Sequence, residues 1–97
     1  MRGHAYFQLG EHQKAIDDYT NAIQIQPNAN SLLNRGITYR RLGEHQKAID
    51  DYTKAIQLQP DDAQLFDNRA HAFDALNMPE KAQKDRHKAA ELNLVKP

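Results

Sequence analysis

One eighteen-residue segment occurs twice in this chain, and the repetition constrains the fold more than any other feature. Residues 10–27 read GEHQKAIDDYTNAIQIQP, and residues 43–60 read GEHQKAIDDYTKAIQLQP. The copies differ only at Asn21/Lys54 and Ile25/Leu58, and they start thirty-three residues apart. Such a period is typical of repeat arrays, in which each unit buries its apolar face only against its neighbours. We therefore expect stacked units that offer a long surface rather than a closed pocket.

Apolar residues within each copy recur at the spacing of an amphipathic helix. Ala15, Ile16, Tyr19, Ala22 and Ile23 form one stripe at intervals of three and four residues. Leu-Gly and Leu-Asn pairs and prolines end the stripes, since Gly and Asn accept left-handed backbone and proline cannot continue a helix. The sequence predicts an all-α chain of roughly six helices, joined by short connections that make neighbours antiparallel. Their approximate bounds are 1–9, 13–26, 29–42, 46–59, 63–76 and 80–92.

The residues at fixed slots carry a family resemblance. Leu32-x-x-Arg35-Gly36-x-x-Tyr39, followed by Ala48-x-x-x-Tyr52 and Pro60, resembles the tetratricopeptide repeat. The third unit repeats the pattern as Phe66-x-x-Arg69-Ala70-x-x-Phe73, and the first unit gives Arg2-Gly3-x-x-Tyr6. The resemblance implies an α-solenoid of antiparallel helix pairs, a right-handed superhelix of about three repeats.

The repeat boundaries follow from the prolines and the period. We expect one array over residues 1–94, with a truncated first repeat at 1–27, a second at 28–60 and a third at 61–94, followed by a tail at 95–97. The first repeat lacks a counterpart of Leu32, which favours a fragment of a longer array. The polar residues Gln83 and Arg86 replace Ile49 and Tyr52 in the last helix, which is typical of a terminal repeat.

Arginine occupies a slot where the family most often has leucine, at Arg2, Arg35 and Arg69. A half-buried arginine needs a carboxylate, and each second helix carries acids just before its aromatic slot. The sequence therefore predicts structural ion pairs of these arginines with Asp18, Asp51 or Asp85, within or between units. The alternative is a solvated guanidinium with only its aliphatic stem packed.

The resemblance implies that the first helix of each unit lines a concave groove for a partner peptide. The groove residues expected from the three units are His4, Phe7, Gln8, Asn30, Leu33, Asn34, Ile37, Arg40, Arg41, Gln64, Asp67, Asn68, His71 and Asp74. Asn34 and Asn68 share one slot, and a carboxamide can both donate to and accept from a peptide unit. They resemble a ladder that holds a ligand backbone with little regard for its sequence. The alternative is that both side chains bond local backbone or face water.

A clamp for chaperone C-termini is disfavoured within the same family. His4, Gln64 and Asn68 stand where such clamps have an asparagine, a lysine and an arginine, although Asn34 fits. Without those cations a terminal carboxylate loses its charge-assisted hydrogen bonds.

Composition excludes several other classes of function. Thirteen basic residues balance thirteen acidic ones, which disfavours nucleic acid as a partner, and there is no cysteine. Neither a membrane span nor a signal segment is recognisable. The five histidines lack metal-ligand spacing, and no catalytic constellation is present. We expect a cytoplasmic protein that is not an enzyme and carries no metal or cofactor.

Two functions remain open after these exclusions. The first is a non-enzymatic scaffold or adaptor that binds another protein or peptide in the groove. The second is structural self-assembly, because the unfinished first unit leaves an apolar edge at Tyr6, Ile16 and Tyr19 that a second chain could cover.

Overall fold

Five helices and no strand make up the part of the chain that the structure describes. This computed structural model describes the backbone of residues 2–95 and the side chains of residues 10–94. The helices are α1 (Arg2–Ile25), α2 (Ala29–Arg41), α3 (His45–Leu58), α4 (Ala63–Ala75) and α5 (Pro79–Val95). The prediction of an all-α solenoid is confirmed, since each helix packs on its sequence neighbours and α2 also contacts α4.

Helix α2 ends in a turn that its sequence specifies. Gly43 has φ of +80°, its N–H donates to the Arg40 carbonyl, and the Glu44 N–H donates to the Tyr39 carbonyl. This is the Schellman arrangement, which needs a residue in left-handed conformation after the last helical turn. Helix α4 ends in the same way, with Asn77 at φ of +58°. The predicted stops at Leu42-Gly43 and Leu76-Asn77 are therefore confirmed.

The predicted stop at Leu9-Gly10 is wrong. Helix α1 runs without a break from Arg2 to Ile25, so the two helices expected at about 1–9 and 13–26 are one. Helix α2 is held in its hairpin with α3 by packing on α1 and α4 as well. Among the described helices, α1 contacts only α2. No such neighbour supports a turn at Gly10, and the backbone keeps its continuous helical hydrogen bonds.

The core lies between α2, α3 and α4. Tyr52 and Ala48 of α3 are 0 % exposed, and Leu32 of α2 and Leu65 of α4 are 2 % and 1 % exposed. A Cβ placed on Gly36 would lie 2.6 Å from Tyr52 Cε1, so this glycine is required by the close approach of the α3 ring. A smaller cluster of Ala63, Phe66 and Ala89 closes the last pair, α4 and α5. Ile56 of α3 packs against both clusters and links the apolar interiors of the two pairs, as stacked repeats require.

Candidate binding groove on helices α2 and α4

The first helices of the second and third units, α2 and α4, lie side by side and form the candidate groove. Each begins at a polar cap. The Asn28 side chain accepts from the Ser31 N–H at 2.7 Å, and the Asp62 side chain accepts from the Gln64 N–H at 3.0 Å. These caps satisfy backbone donors that the first helical turn leaves free. The two groove walls are thus fixed at their N-terminal ends by the local sequence.

The predicted groove residues fall on these two helices with different exposure. On α2, Leu33 is buried, Asn34, Ile37 and Arg40 are half-buried, and Arg41 is exposed. On α4, Asn68 is half-buried, and Gln64 and His71 are exposed. Ile37 also packs against the apolar core and so contributes to the fold. The side chains of His4, Phe7 and Gln8 lie outside the described residues.

A depression of about 230 Å³ opens between the N-terminal halves of α2 and α4. Its lining includes the predicted residues Asn30, Leu33 and Gln64. Gln59, Asp62 and Leu65 also line it, and sequence reasoning did not include them in the groove. Gln59 and Asp62 come from the turn before α4, and Leu65 comes from the first turn of α4; their positions depend on how the units stack. Polar side chains outnumber apolar ones in this lining, so the depression mainly offers hydrogen-bonding groups to a ligand.

The two asparagines at the shared slot differ in their hydrogen bonding. Asn68 Nδ2 donates to the Gln64 carbonyl at 2.9 Å, which is the local-backbone alternative for this residue. Its Oδ1 and second N–H remain available by the chemistry of the group. The Asn34 side chain forms no hydrogen bond with the described residues. The backbone carbonyl of Asn34 accepts from Thr38 Oγ1 at 2.9 Å. Asn34 therefore presents a whole carboxamide, and Asn68 presents part of one.

The two walls carry opposite charge. Arg40 and Arg41 occupy the last turn of α2. The exposed acids Asp67 and Asp74 lie on α4 with His71 between them. Arg86 of α5 forms an ion pair with Asp74, which sequence reasoning did not predict. The hydrogen bond to Asp74 is the main cause of the raised pKa of Arg86, so the guanidinium stays charged. The groove therefore has a basic wall and an acidic wall partly neutralised by Arg86.

Two buried polar atoms without hydrogen-bond partners among the described residues lie beneath the basic wall. They are the hydroxyl of Tyr52 and Nε of Arg40. Burial raises the pKa of Tyr52, and the nearby positive charge of Arg40 opposes that shift. The phenol is therefore neutral at physiological pH and adds no charge to the groove.

Two ion pairs join each groove helix to the second helix of its unit, α2 to α3 and α4 to α5. Arg35 donates to both carboxylate oxygens of Asp51, from Nε at 2.8 Å and from Nη2 at 2.7 Å. Arg69 makes the same two contacts with Asp85, at 2.8 and 2.7 Å. The hydrogen bond to Asp51 is the main cause of the raised pKa of Arg35. These are the pairings that the sequence analysis predicts within a unit.

The same arginines also reach the preceding unit. Arg35 Nη1 donates to Thr20 Oγ1 of α1 at 3.1 Å, and Arg69 Nη1 donates to Thr53 Oγ1 of α3 at 3.2 Å. Sequence reasoning missed these threonines, although they occupy one slot of the repeat. Asp18 is exposed, and its expected partner Arg2 has a side chain outside the described residues.

Within residues 10–94, no group of three or more His, Asp or Glu side chains is arranged to hold a metal ion. None of the described helices has the length and apolar character needed to cross a bilayer.

The model of the tetratricopeptide repeat matches residues 1–28 and 29–62, which is more than half of the chain. The chain belongs to the tetratricopeptide repeat family. Helices α4 and α5 add a further pair after the second match. No curated protein matches the chain significantly.

Solved tetratricopeptide structures share the fold over nearly the whole chain. MamA superposes with a TM-score of 0.84 at 32 % identity, over 94 % of this chain and 54 % of MamA. This chain therefore spans about half the length of MamA. The first repeat domain of Spaghetti (RPAP3), bound to the HSP90 peptide SRMEEVD, gives a TM-score of 0.83 at 31 % identity, over 98 % of this chain and 76 % of that domain. The second domain, bound to the same peptide, gives 0.81 at 29 % identity, over 94 % and 85 %.

Proposed function

We propose that this chain is a non-enzymatic peptide-binding module whose site is the groove between α2 and α4. The observation that carries the proposal is the pair of carboxamides Asn34 and Asn68 at equivalent slots on adjacent walls. Asn34 has no recorded side-chain bond among the described residues, and Asn68 retains donor and acceptor capacity. The repeat domains of RPAP3, with the same fold, bind an HSP90 peptide. Such a groove suits an adaptor or scaffold.

The charges of the groove indicate the kind of segment it binds. Arg41 is exposed at the C-terminal end of α2, and Asp67 is exposed on α4. A segment with an acidic residue beside Arg41 and a basic residue beside Asp67 complements both walls. The acidic HSP90 tail is a poor match, because Gln64 and Asn68 occupy slots where a carboxylate clamp has cations. Backbone hydrogen bonds supply affinity and the two charged walls supply orientation.

The test begins with a peptide array of mixed-charge segments, followed by titration calorimetry on the strongest binders. The double variant Asn34→Ala/Asn68→Ala is expected to weaken binding by about fivefold per lost carboxamide, since a net hydrogen bond contributes about 1 kcal/mol. Asn21→Ala and Asn93→Ala are matched controls on exposed faces of α1 and α5, and they leave affinity unchanged.

The charge component is tested separately with Arg41→Glu against the control Lys54→Glu, an exposed site on α3. Only Arg41→Glu is expected to change the preference for the acidic position of the peptide. Equal affinity of the double asparagine variant and the unaltered protein for every binder would refute the carboxamide ladder. Equal effects of Arg41→Glu and Lys54→Glu would refute the orientation of the segment.

A further inference from the structure

Two helices of this chain share a twelve-residue sequence but differ in the helices that cover them. Leu9–Thr20, within α1, is identical to Leu42–Thr53, which contains the first part of α3. In the second copy the chain turns at Gly43, and α3 packs against both α2 and α4. In the first copy α1 stays straight, and among the described helices it contacts only α2. The same side chains are therefore seen with two neighbouring helices and with one.

The side of α1 that meets the following helix is packed as it is in α3. Ile16 and Ile49 occupy the same slot, and both are 6 % exposed. Thr20 accepts a hydrogen bond from Arg35 Nη1 of α2, and Thr53 accepts the equivalent hydrogen bond from α4. Helix α1 therefore already behaves toward α2 as a second helix of a repeat behaves toward the next unit.

The side of α1 that corresponds to the α2-facing side of α3 is not buried. On α3 this side is 0 % exposed beneath α2, and it is formed by Ala48, Tyr52 and Ala55. The equivalent side chains of α1 are only half-buried, and they are Ala15, Tyr19 and Ala22. We call these three residues the α1 face. It presents the same residue types that receive α2 in the middle unit.

A carboxylate beside the α1 face is exposed where its equivalents are buried. Asp51 and Asp85 are 3 % and 5 % exposed, and each accepts two hydrogen bonds from the arginine sixteen residues earlier. Asp18 occupies the same slot and is exposed. Because α1 is one continuous helix, the residue sixteen positions before Asp18 is about 24 Å away along the helix axis. An arginine that bonds Asp18 in the same manner must therefore come from another helix.

The packing of α2 on α3 defines the helix that fits the α1 face. Leu32 of α2 is 2 % exposed in the core, and Arg35 bonds Asp51. Gly36 lies against the Tyr52 ring so closely that an added Cβ would be 2.6 Å from Cε1. A matching helix therefore carries a large apolar residue, an arginine three positions later and a glycine directly after the arginine.

We propose that the α1 face binds a helix of a partner protein that carries this pattern, a large apolar residue followed by x-x-Arg-Gly. The helix lies antiparallel to the second half of α1, with its arginine on Asp18 and its glycine against Tyr19. The exposed carboxylate complements the arginine, and the receiving side chains are the same as those of α3. This site is separate from the groove between α2 and α4 and does not depend on it.

The test uses a fluorescently labelled peptide with the sequence of residues 28–43, NANSLLNRGITYRRLG, which contains the pattern. Fluorescence anisotropy follows its binding to the full chain, and saturation is expected with a Kd of about 10–100 µM, because the peptide must fold as it binds. Asp18→Arg is expected to weaken binding by about thirtyfold or more. A peptide with Arg35→Asp is expected to bind that variant and not the unaltered chain, because the charges are exchanged.

Three controls locate the contact. Asp17→Arg, one position away and also exposed, is expected to leave the affinity unchanged. A peptide with Gly36→Ala has a higher helix propensity but is expected to bind about tenfold more weakly, because its methyl group meets the Tyr19 ring. The variant Asn34→Ala/Asn68→Ala of the full chain is expected to bind the peptide normally, which distinguishes this site from the groove.

Circular dichroism of each variant verifies that its helices are retained. Absence of saturable binding up to about 500 µM overturns the proposal. Equal losses with Asp17→Arg and Asp18→Arg, or exchanged charges that do not restore binding, also overturn it. If the unaltered chain is instead a dimer that Asp18→Arg dissociates, a second copy covers the α1 face, and the proposal of a partner helix is wrong.

Discussion

The same substitution, glycine to alanine, should have opposite effects at equivalent positions of two identical twelve-residue stretches, Leu9–Thr20 and Leu42–Thr53. Gly10 is inside α1, where a Cβ meets nothing within 4 Å, and Gly43 holds a turn with φ of +80°. Gly10→Ala should stabilise the fold by about 1 kcal/mol, the difference in helix propensity between the two residues. Gly43→Ala should destabilise it by about 1 kcal/mol, because an L-residue in the left-handed region costs about 1–2 kcal/mol and gains part of that back through the unfolded state.

Urea denaturation followed by circular dichroism measures both effects. With a slope of about 1.5 kcal/mol per molar urea, the two midpoints should move in opposite directions and differ by more than about 1 M. The measurement is made at low protein concentration, so that any dimer contributes little to stability. Each variant is the other's control, since the residue before each glycine and the ten residues after it are the same. If both substitutions lower the midpoint equally, Gly10 occupies a turn like that of Gly43 and α1 is not continuous.

Three further changes test the interior. Arg35→Ala leaves the buried Asp51 carboxylate unpaired and should lower the free energy of unfolding by about 3–5 kcal/mol. The double variant Arg35→Leu/Asp51→Ala should recover most of that loss. Thermal unfolding compares the two, and equal losses would contradict the pairing argument. Gly36→Ala places a Cβ 2.6 Å from Tyr52 Cε1 and should lower the free energy of unfolding by about 1–3 kcal/mol, as measured by urea denaturation. An unchanged urea midpoint would mean that α2 and α3 move apart without loss of stability. Tyr52→Phe should change stability by less than about 1 kcal/mol at pH 7, because the hydroxyl has no partner among the described residues. Because burial raises the Tyr52 pKa above 10.0, the unaltered fold loses stability as the pH rises beyond that value. Tyr52→Phe should lose less stability over the same pH range. Parallel profiles of unfolding free energy against pH for the two proteins would contradict this.

The ion pairs were predictable because the sequence restricts the choices. An arginine in an apolar slot needs a carboxylate, and the acids lie before the aromatic slot of each second helix. Arg35 and Arg69 meet Asp51 and Asp85 accordingly. The bonds to Thr53 and Thr20 were not predictable, since they depend on the distance between stacked units.

The continuous first helix could not be predicted from local signals. Leu9–Thr20 carries the same stop and start signals as Leu42–Thr53, and only the second stretch turns. The choice depends on contacts with other helices, which no short window of sequence contains. The period of thirty-three residues therefore predicts the repeat correctly, but the stop signals predict six helices where the structure has five among the described residues.

The groove was predicted at the level of helix faces. Asn34 and Asn68 lie on α2 and α4 as expected, but the bond from Asn68 to the Gln64 carbonyl is a choice of side-chain conformation. Gln59 and Leu65 line the depression because of the turn that brings α4 beside α2. The position of a residue in the repeat predicts which helix face of the groove it lies on. The shape of the depression between α2 and α4 depends on how the helices pack.

The fit of Gly36 against Tyr52 has a consequence for exchanging parts between repeats. The last pair has Ala70 and Arg86 at the same two slots, and Arg86 extends to Asp74 instead of filling the space above the small residue. A chimera that joins the first helix of the last pair to the second helix of the middle pair would set an alanine methyl against a tyrosine ring. Helices of this chain can therefore be transplanted only as matched couples, and a library that shuffles single helices should yield folded products mainly where both slots come from one parent.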